Sequence, residues 1–180
     1  MKTNRFLRTI LILLILALNI GCDQVSKVIV RRKLDYYDRI EFLHQHITLT
    51  RVENTGAFLS LGDSLSGPAK TILLNRLPLL AILFGLWYIL TKPGLNRVTL
   101  IALILIVGGG AGNLYDRIVH GSVTDFMHIG FGIFQTGIFN VADMSITAGA
   151  VIILIHSFFR KPDVVEEKIP ETETPDGGNI

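Results

Sequence analysis

Three aspartates, Asp116, Asp125 and Asp143, are the residues of this chain best suited to carry chemistry. Apolar runs flank the segment that holds them, and an ionisable group beside lipid-compatible sequence is costly enough to be a functional candidate. If Asp125 and Asp143 meet, they cannot both ionise cheaply and would share one proton. The ionised carboxylate can then deprotonate a water that attacks an amide carbonyl, while the protonated one supplies a proton to the leaving nitrogen. We therefore hypothesise an acid/base pair at a membrane surface.

Amide and guanidinium side chains accompany these aspartates at helical spacing. Asn113, Asp116 and Arg117 are spaced i, i+3 and i+4, which places them on one face at the end of a helix. Arg117 either pairs with Asp116 or uses its planar fork to fix an oxygen of a substrate. Asn140 and Asp143 are spaced i, i+3 and share a face of the next helix.

Other classes of catalytic site are poorly represented. The sequence has no Ser-x-x-Lys motif and no nucleophile elbow. Asp125 and His128 could ligate a metal, but no partner motif such as His-Glu-x-x-His accompanies them, so neither a metal nor another cofactor is expected. The single cysteine, Cys22, excludes an internal disulfide and a cysteine-rich metal site.

The elements that must position these residues are apolar helices. The chain has 180 residues, 49% of them hydrophobic, with a mean hydropathy of +0.49. This length favours one domain, and the net charge of +2 is too small to indicate nucleic acid. We predict an integral membrane protein that is mainly α, with four transmembrane helices over residues 9–30, 71–91, 98–115 and 138–159.

The segments outside these spans differ in character. Residues 31–70 are polar and mixed, with a short strand signal at 47–50, and predict a small extracytoplasmic cap that is partly β. Residues 162–180 are rich in Pro, Glu and Thr and predict a disordered tail. Residues 1–161 would then form a single membrane domain.

Four spans place both termini on one side of the membrane. The basic amino terminus favours the cytoplasmic side for both. The cap and the 116–137 loop would then face outward together. Four polar residues would converge on one membrane face: Asn54, Asp116, Asp125 and Asp143.

Two further spacings predict contacts of the helices. Gly108 and Gly112 are four residues apart and would let another helix approach closely, as small residues do in membrane proteins. Asp23 and Lys27 are also four residues apart, so they can pair on one face of the first helix.

Two other functions fit part of the sequence. A small transporter or channel would place a carboxylate pair deep within the membrane. A lipoprotein precursor would be cut before Cys22 and anchored there, because residues 18–22 resemble a cleavage box. The three later spans argue against such a precursor, and Cys22 is expected to be a buried small apolar residue.

Five short motifs occur in register with the four spans. They are Asp23-Gln24-Val25-Ser26-Lys27, Asn54-Thr55-Gly56-Ala57-Phe58, Gly108-Gly109-x-x-Gly112-Asn113-x-x-Asp116-Arg117, Val123-x-Asp125-Phe126 and Phe139-Asn140-x-Ala142-Asp143. In this combination, over about residues 5–160, the chain resembles the bacterial lipoprotein signal peptidases (signal peptidase II) of the aspartyl type.

The resemblance implies an enzyme of the bacterial inner membrane with a periplasmic β-cradle as its cap. Such an enzyme removes the signal peptide from prolipoproteins by cutting just before the diacylglyceryl-modified cysteine. The resemblance also implies inhibition by cyclic peptides of the globomycin type. We expect a monomer surrounded by membrane lipids.

The motifs assign a role to each matching residue. The resemblance makes Asp125 and Asp143 the catalytic dyad. The residues that would hold the substrate peptide are Asn54, Asn113, Arg117 and Asn140. The supporting positions would be Asp23, Lys27, Gly56, Gly108, Gly112, Asp116 and Ala142.

Overall fold

The computed structural model describes residues 5–56 and 67–159. The end of the 54–58 motif and the predicted disordered tail lie outside these residues. In chain order the elements are α1 (Arg5–Lys33), β1 (Arg39–Phe42), β2 (Ile47–Asn54), α2 (Gly67–Thr71), a π-helical turn (Ile72–Arg76), α3 (Leu77–Thr91), α4 (Arg97–His120), β3 (Val123–Phe131), β4 (Phe134–Gln135) and α5 (Val141–Phe159).

Four helical stretches are long and apolar enough to cross a membrane, which confirms the four predicted spans. The second is continuous from Gly67 to Thr91. The third was predicted to end at residue 115, but α4 continues to His120 and stops at Gly121, whose φ of 77° is the left-handed conformation that ends helices. The extra turn carries Asp116 and Arg117 inside the helix rather than beyond it.

Helix α4 lies between the other three long helices and packs closely through its small residues. A Cβ at Gly108 would come within 2.6 Å of the Asn19 side chain on α1. A Cβ at Gly109 would collide with the carbonyl oxygen of Ala142 on α5. The apolar contacts between α1, α3 and α4 involve Ile12, Leu16, Ile89, Ile104 and Val107.

The outer surface of the helices is apolar. Leu14, Leu80 and Leu154 are 53%, 64% and 57% exposed, as suits side chains that face lipid. Cys22 is exposed as well, so the prediction of a buried cysteine was wrong. It lies on the same stripe of α1 as the exposed Leu18 and Val25, one residue away from the buried face that carries Asp23.

The cap is a four-stranded antiparallel sheet in the order β1-β2-β3-β4. Strand β3 comes from the 116–137 segment, which the sequence had indicated only as a loop, so both extramembrane segments build the cap. In the β2–β3 register Val52 pairs with Asp125 and Asn54 with Val123. Val30 and Leu34 at the end of α1 pack with Phe126, which fixes the sheet against the helices.

We predict that Gly109→Ala destabilises the protein by about 1–3 kcal/mol, because its methyl group would be forced against the backbone of α5. Gly21→Ala is the matched control, since a Cβ at that α1 position meets nothing within 4 Å. Thermal unfolding in detergent measures both. Equal melting temperatures for the two variants would contradict the close approach of α4 and α5.

Candidate active site

The Asp125 carboxylate lies on β3, is only 3% exposed and is held by two amide side chains. Its Oδ1 accepts a hydrogen bond from Asn140 Nδ2 at 2.6 Å, and its Oδ2 accepts one from Asn54 Nδ2 at 2.9 Å. The Asn54 side chain is itself oriented by the Gly56 N–H, which donates to its Oδ1 at 3.0 Å. Both carboxylate oxygens of Asp125 therefore have fixed partners.

Asp143 lies in the first turn of α5, where it forms a reciprocal cap with Asn140. The Asp143 N–H donates to Asn140 Oδ1 at 3.0 Å, and the Asn140 N–H donates to Asp143 Oδ2 at 3.2 Å. This is the geometry of a capping box, built here from Asn and Asp. The i, i+3 spacing seen in the sequence thus reflects a helix start.

One side chain, Asn140, connects the two aspartates. Its Nδ2 binds Asp125 while its Oδ1 accepts from the backbone of Asp143. The pKa of Asp125 is raised to about 6: burial is the largest cause and the charge of Asp143 adds to it, while the hydrogen bonds from Asn54 and Asn140 and the charge of Lys27 lower it. Asn140 therefore links Asp125 to Asp143, and the raised pKa of Asp125 allows this carboxyl to hold a proton near neutral pH.

The buried ammonium of Lys27 organises the network behind the dyad. Its Nζ lies 2.8 Å from Asp23 Oδ2, Asn113 Oδ1 and Asp116 Oδ2, and its side chain is fully buried. Because an ammonium has only donors, it binds the oxygen end of the Asn113 amide and leaves the nitrogen end free. That Nδ2 donates to Asp143 Oδ1 at 2.8 Å.

Asp23 connects this network to α5. Its Oδ1 accepts the Ala142 N–H at 2.9 Å, which satisfies another amide at the start of α5. A Cβ at Gly112 would come within 2.5 Å of Asp23 Oδ2, so this glycine makes room for the carboxylate. The Asp23/Lys27 pair predicted from the i, i+4 spacing is present, but it is fully buried rather than interfacial.

Asp116 and Arg117 do not pair, although their positions allowed it. Asp116 binds Lys27 and also Arg31, whose Nη2 lies 2.9 Å from Asp116 Oδ1. Arg117 instead donates from Nη2 to the carbonyl oxygen of Gly56 at 3.0 Å. Its Nε is buried and has no hydrogen-bond partner among the residues that the structure describes.

Sequence reasoning missed the part played by Arg31 and by a polar group on the sheet. Arg31 Nε donates to Thr124 Oγ1 at 2.7 Å, and that hydroxyl lies 3.0 Å and 3.1 Å from the two carboxylate oxygens of Glu53. Ser122 Oγ donates to the same carboxylate at 2.7 Å. The sequence did offer one indication of this role: Arg31 lies one helical turn after Lys27 and therefore on the same face of α1.

Two alternatives lose support from these positions. Asp125 and His128 are three residues apart on β3, so they point to opposite faces of the strand. Asp143 lies at the cap end of its helix rather than at the middle of a span, which disfavours a midplane transport site.

Comparisons with known proteins agree with this architecture. A sequence profile described as "Signal peptidase (SPase) II" matches residues 15–159. The lipoprotein signal peptidase of Acinetobacter baumannii is 36% identical over 142 residues, which cover 79% of this chain and 80% of that protein. The lipoprotein signal peptidase of Francisella tularensis subsp. novicida is 32% identical over 142 residues, covering 79% and 88% respectively.

Solved structures give the same result for the fold. A bacterial membrane enzyme determined by the in meso method at 2.3 Å superposes with a TM-score of 0.73 and 26% identity, over 86% of this chain and 94% of that one. A second one, at 1.9 Å, gives a TM-score of 0.71 and 25% identity. The sequence match, the fold and the paired aspartates lead to one conclusion: the chain belongs to the signal peptidase II family.

Proposed function

We propose that this protein is a membrane aspartyl endopeptidase that removes the signal peptide from prolipoproteins, cutting just before the diacylglyceryl-modified cysteine. Membership of the signal peptidase II family supports proteolysis and prolipoprotein substrates. The observation that carries the aspartyl mechanism is the Asn140 side chain, which links Asp125 and Asp143 at the cap end of α5.

The two carboxylates take different roles in this mechanism. Asp125, with its raised pKa, holds the shared proton, and Asp143 is ionised. Asp143 accepts a proton from water as the water oxygen bonds to the scissile carbonyl carbon. Asp125 then gives its proton to the leaving nitrogen as the C–N bond breaks. The proton that Asp143 took from water becomes the new shared proton of the pair.

Polar side chains around the dyad would hold the substrate peptide. Arg117 has a buried Nε without a hydrogen-bond partner among the described residues, so it could donate a hydrogen bond to a substrate carbonyl oxygen. We assign Asn54, Asn113 and Asn140 to the same task, because each amide already contacts a dyad carboxylate. Gly56 supports Arg117 through its carbonyl oxygen.

The proposed setting is the bacterial inner membrane, with residues 1–161 as one domain. The cap and dyad would face the periplasm and both termini the cytoplasm, because the amino terminus is basic. The substrate's signal helix and acyl chains would then reach the dyad sideways from the bilayer. We expect a monomer, and inhibition by cyclic peptides of the globomycin type that occupy the dyad.

We predict that Asp125→Asn and Asp143→Asn each lower cleavage by at least about 100-fold, because each removes a proton-transfer group. Cleavage of a diacylglyceryl-modified prolipoprotein peptide by the detergent-purified protein measures this, with and without a chelator. Asp35→Asn, a change at an exposed carboxylate, is the matched control. Full activity in either dyad variant would disprove the mechanism.

We also predict that kcat/KM falls as the pH rises through about 6, because Asp125 loses its proton there. Asn54→Ala should move this fall to higher pH, since it removes a hydrogen bond that favours the ionised form. Because the shift is upward, the stability that Asp125 contributes is present in acid and is lost as the pH rises through about 6.

The pH profile needs a control at a distant amide. Asn96→Ala removes a side chain at the opposite end of α4 and should leave the fall in kcat/KM at its wild-type position. If the pH at which kcat/KM falls is also unchanged in Asn54→Ala, the group that titrates is not Asp125.

Lys27→Met should destabilise the protein by about 3–5 kcal/mol and abolish cleavage, because Asp23 and Asp116 would face each other buried and without their shared cation. Lys33→Met, at an exposed position, should change stability by less than about 0.5 kcal/mol. Thermal unfolding in detergent and peptide cleavage measure the two effects. A Lys27→Met protein of wild-type stability would show that the network is dispensable.

A further inference from the structure

A second cavity, which we call the α1–α4 notch, lies away from the dyad. It is found where α1 and α4 both end beside the cap, and its volume is about 370 Å³. Its lining comes from these two helices alone: Gln24, Val28, Arg31, Arg32, Tyr115 and His120.

The notch is positively charged. Lys27 and Arg31 balance Asp23 and Asp116 in the buried network, which leaves the charge of Arg32 uncompensated. Arg32 has no ion pair within residues 5–56 and 67–159, and no carboxylate from those residues lines the notch. An anion entering it would therefore meet the uncompensated charge of Arg32 and the guanidinium of Arg31, whose own charge Asp116 balances.

The surface around the notch faces lipid. Val25 and Ile29 on α1 and Ile118 and Val119 on α4 are large apolar side chains that are more than half exposed. Tyr115, with an apolar ring and a polar tip, stands at the helix ends, where aromatic residues mark the boundary between hydrocarbon and headgroups. The notch thus opens at the depth where phospholipid headgroups lie.

Arg31 is held rigidly in the notch wall. Its Nη2 binds Asp116 at 2.9 Å and its Nε binds Thr124 at 2.7 Å, so its side chain is only 16% exposed. A guanidinium fixed in this way loses little further freedom when a ligand binds, and its geometry suits phosphate oxygens.

We propose that the α1–α4 notch binds the phosphate headgroup of an anionic glycerophospholipid. Arg31 and Arg32 contact the phosphate, Tyr115 offers a hydrogen bond to a phosphate or glycerol oxygen, and the acyl chains lie along the exposed apolar faces of α1 and α4. Basic pockets between transmembrane helices bind anionic headgroups on the cytoplasmic side of membranes, and the same charge attraction would act in this notch on the cap side. The inference does not rest on the proposed proteolysis, because none of these residues contacts the dyad.

The test measures lipid binding by native mass spectrometry of the detergent-purified protein. Dioleoyl phosphatidylglycerol should bind more tightly than dioleoyl phosphatidylcholine, which has the same chains and no net charge. Arg32→Gln should weaken phosphatidylglycerol binding about fivefold, the usual effect of one cation near an anionic headgroup. Lys33→Gln is the matched control, because it removes the same charge one residue outside the notch and should keep wild-type binding.

Four results would overturn the proposal. Equal binding of the two lipids would remove the headgroup preference, and equal weakening by Lys33→Gln would show a diffuse charge effect. Displacement of the lipid by millimolar inorganic phosphate would assign the notch to a free anion. An Arg32→Gln protein with a raised KM for the prolipoprotein peptide in phosphatidylcholine nanodiscs would assign it to the substrate.

Discussion

The rest of the structure depends on the ammonium of Lys27, which is buried at the contact between α1 and α4. Removing an ion from water costs several kcal/mol, so it is tolerated only where its partners compensate fully. Here the Lys27 ammonium donates hydrogen bonds at 2.8 Å to Asp23 and Asn113, and it forms an ion pair with Asp116 at the same distance. Because α1 supplies one partner and α4 the other two, the register of the two helices is fixed by these bonds, and Gly112 leaves room for the Asp23 carboxylate.

The network serves folding and the candidate site through the same atoms. Amides at the start of α5 need acceptors, and the Asp23 carboxylate and the Asn140 side chain supply them. Asn140 also holds Asp125, while Asn113, oriented by Lys27, holds Asp143. The side chains that cap the N-terminal end of α5 therefore also hold the two carboxylates in position. Hydrogen bonds from fixed partners therefore position both carboxylates, as the proposed proton transfer requires.

The spacing of residues along one helix predicted the local pairs, but it could not predict contacts between different helices and strands. The Asp23/Lys27 pair follows from a period of 3.6 residues and is confirmed. Asn140 and Asp143 do contact each other, but Asn140 precedes α5 and caps it, so the two residues do not share a helix face. The four spans follow from apolar length. The partner of Asp116 was not predictable, because its adjacent Arg117 was the nearest cation in sequence and Arg31 lies on another helix. Strand β3 was missed because its alternation is weak and its pairing partner, β2, is distant in the chain.

In the proposed mechanism the shared proton is placed on Asp125, and the different settings of the two carboxylates give the reason. Asp125 sits on a strand and is almost fully buried, so ionising it requires the loss of water without the help of a helix end. Asp143 sits in the first turn of α5, where backbone N–H groups and the helix dipole favour negative charge. Both accept hydrogen bonds from amides, so that interaction does not distinguish them. In the proposed mechanism, position on the fold rather than residue type therefore assigns one aspartate as the acid and the other as the base.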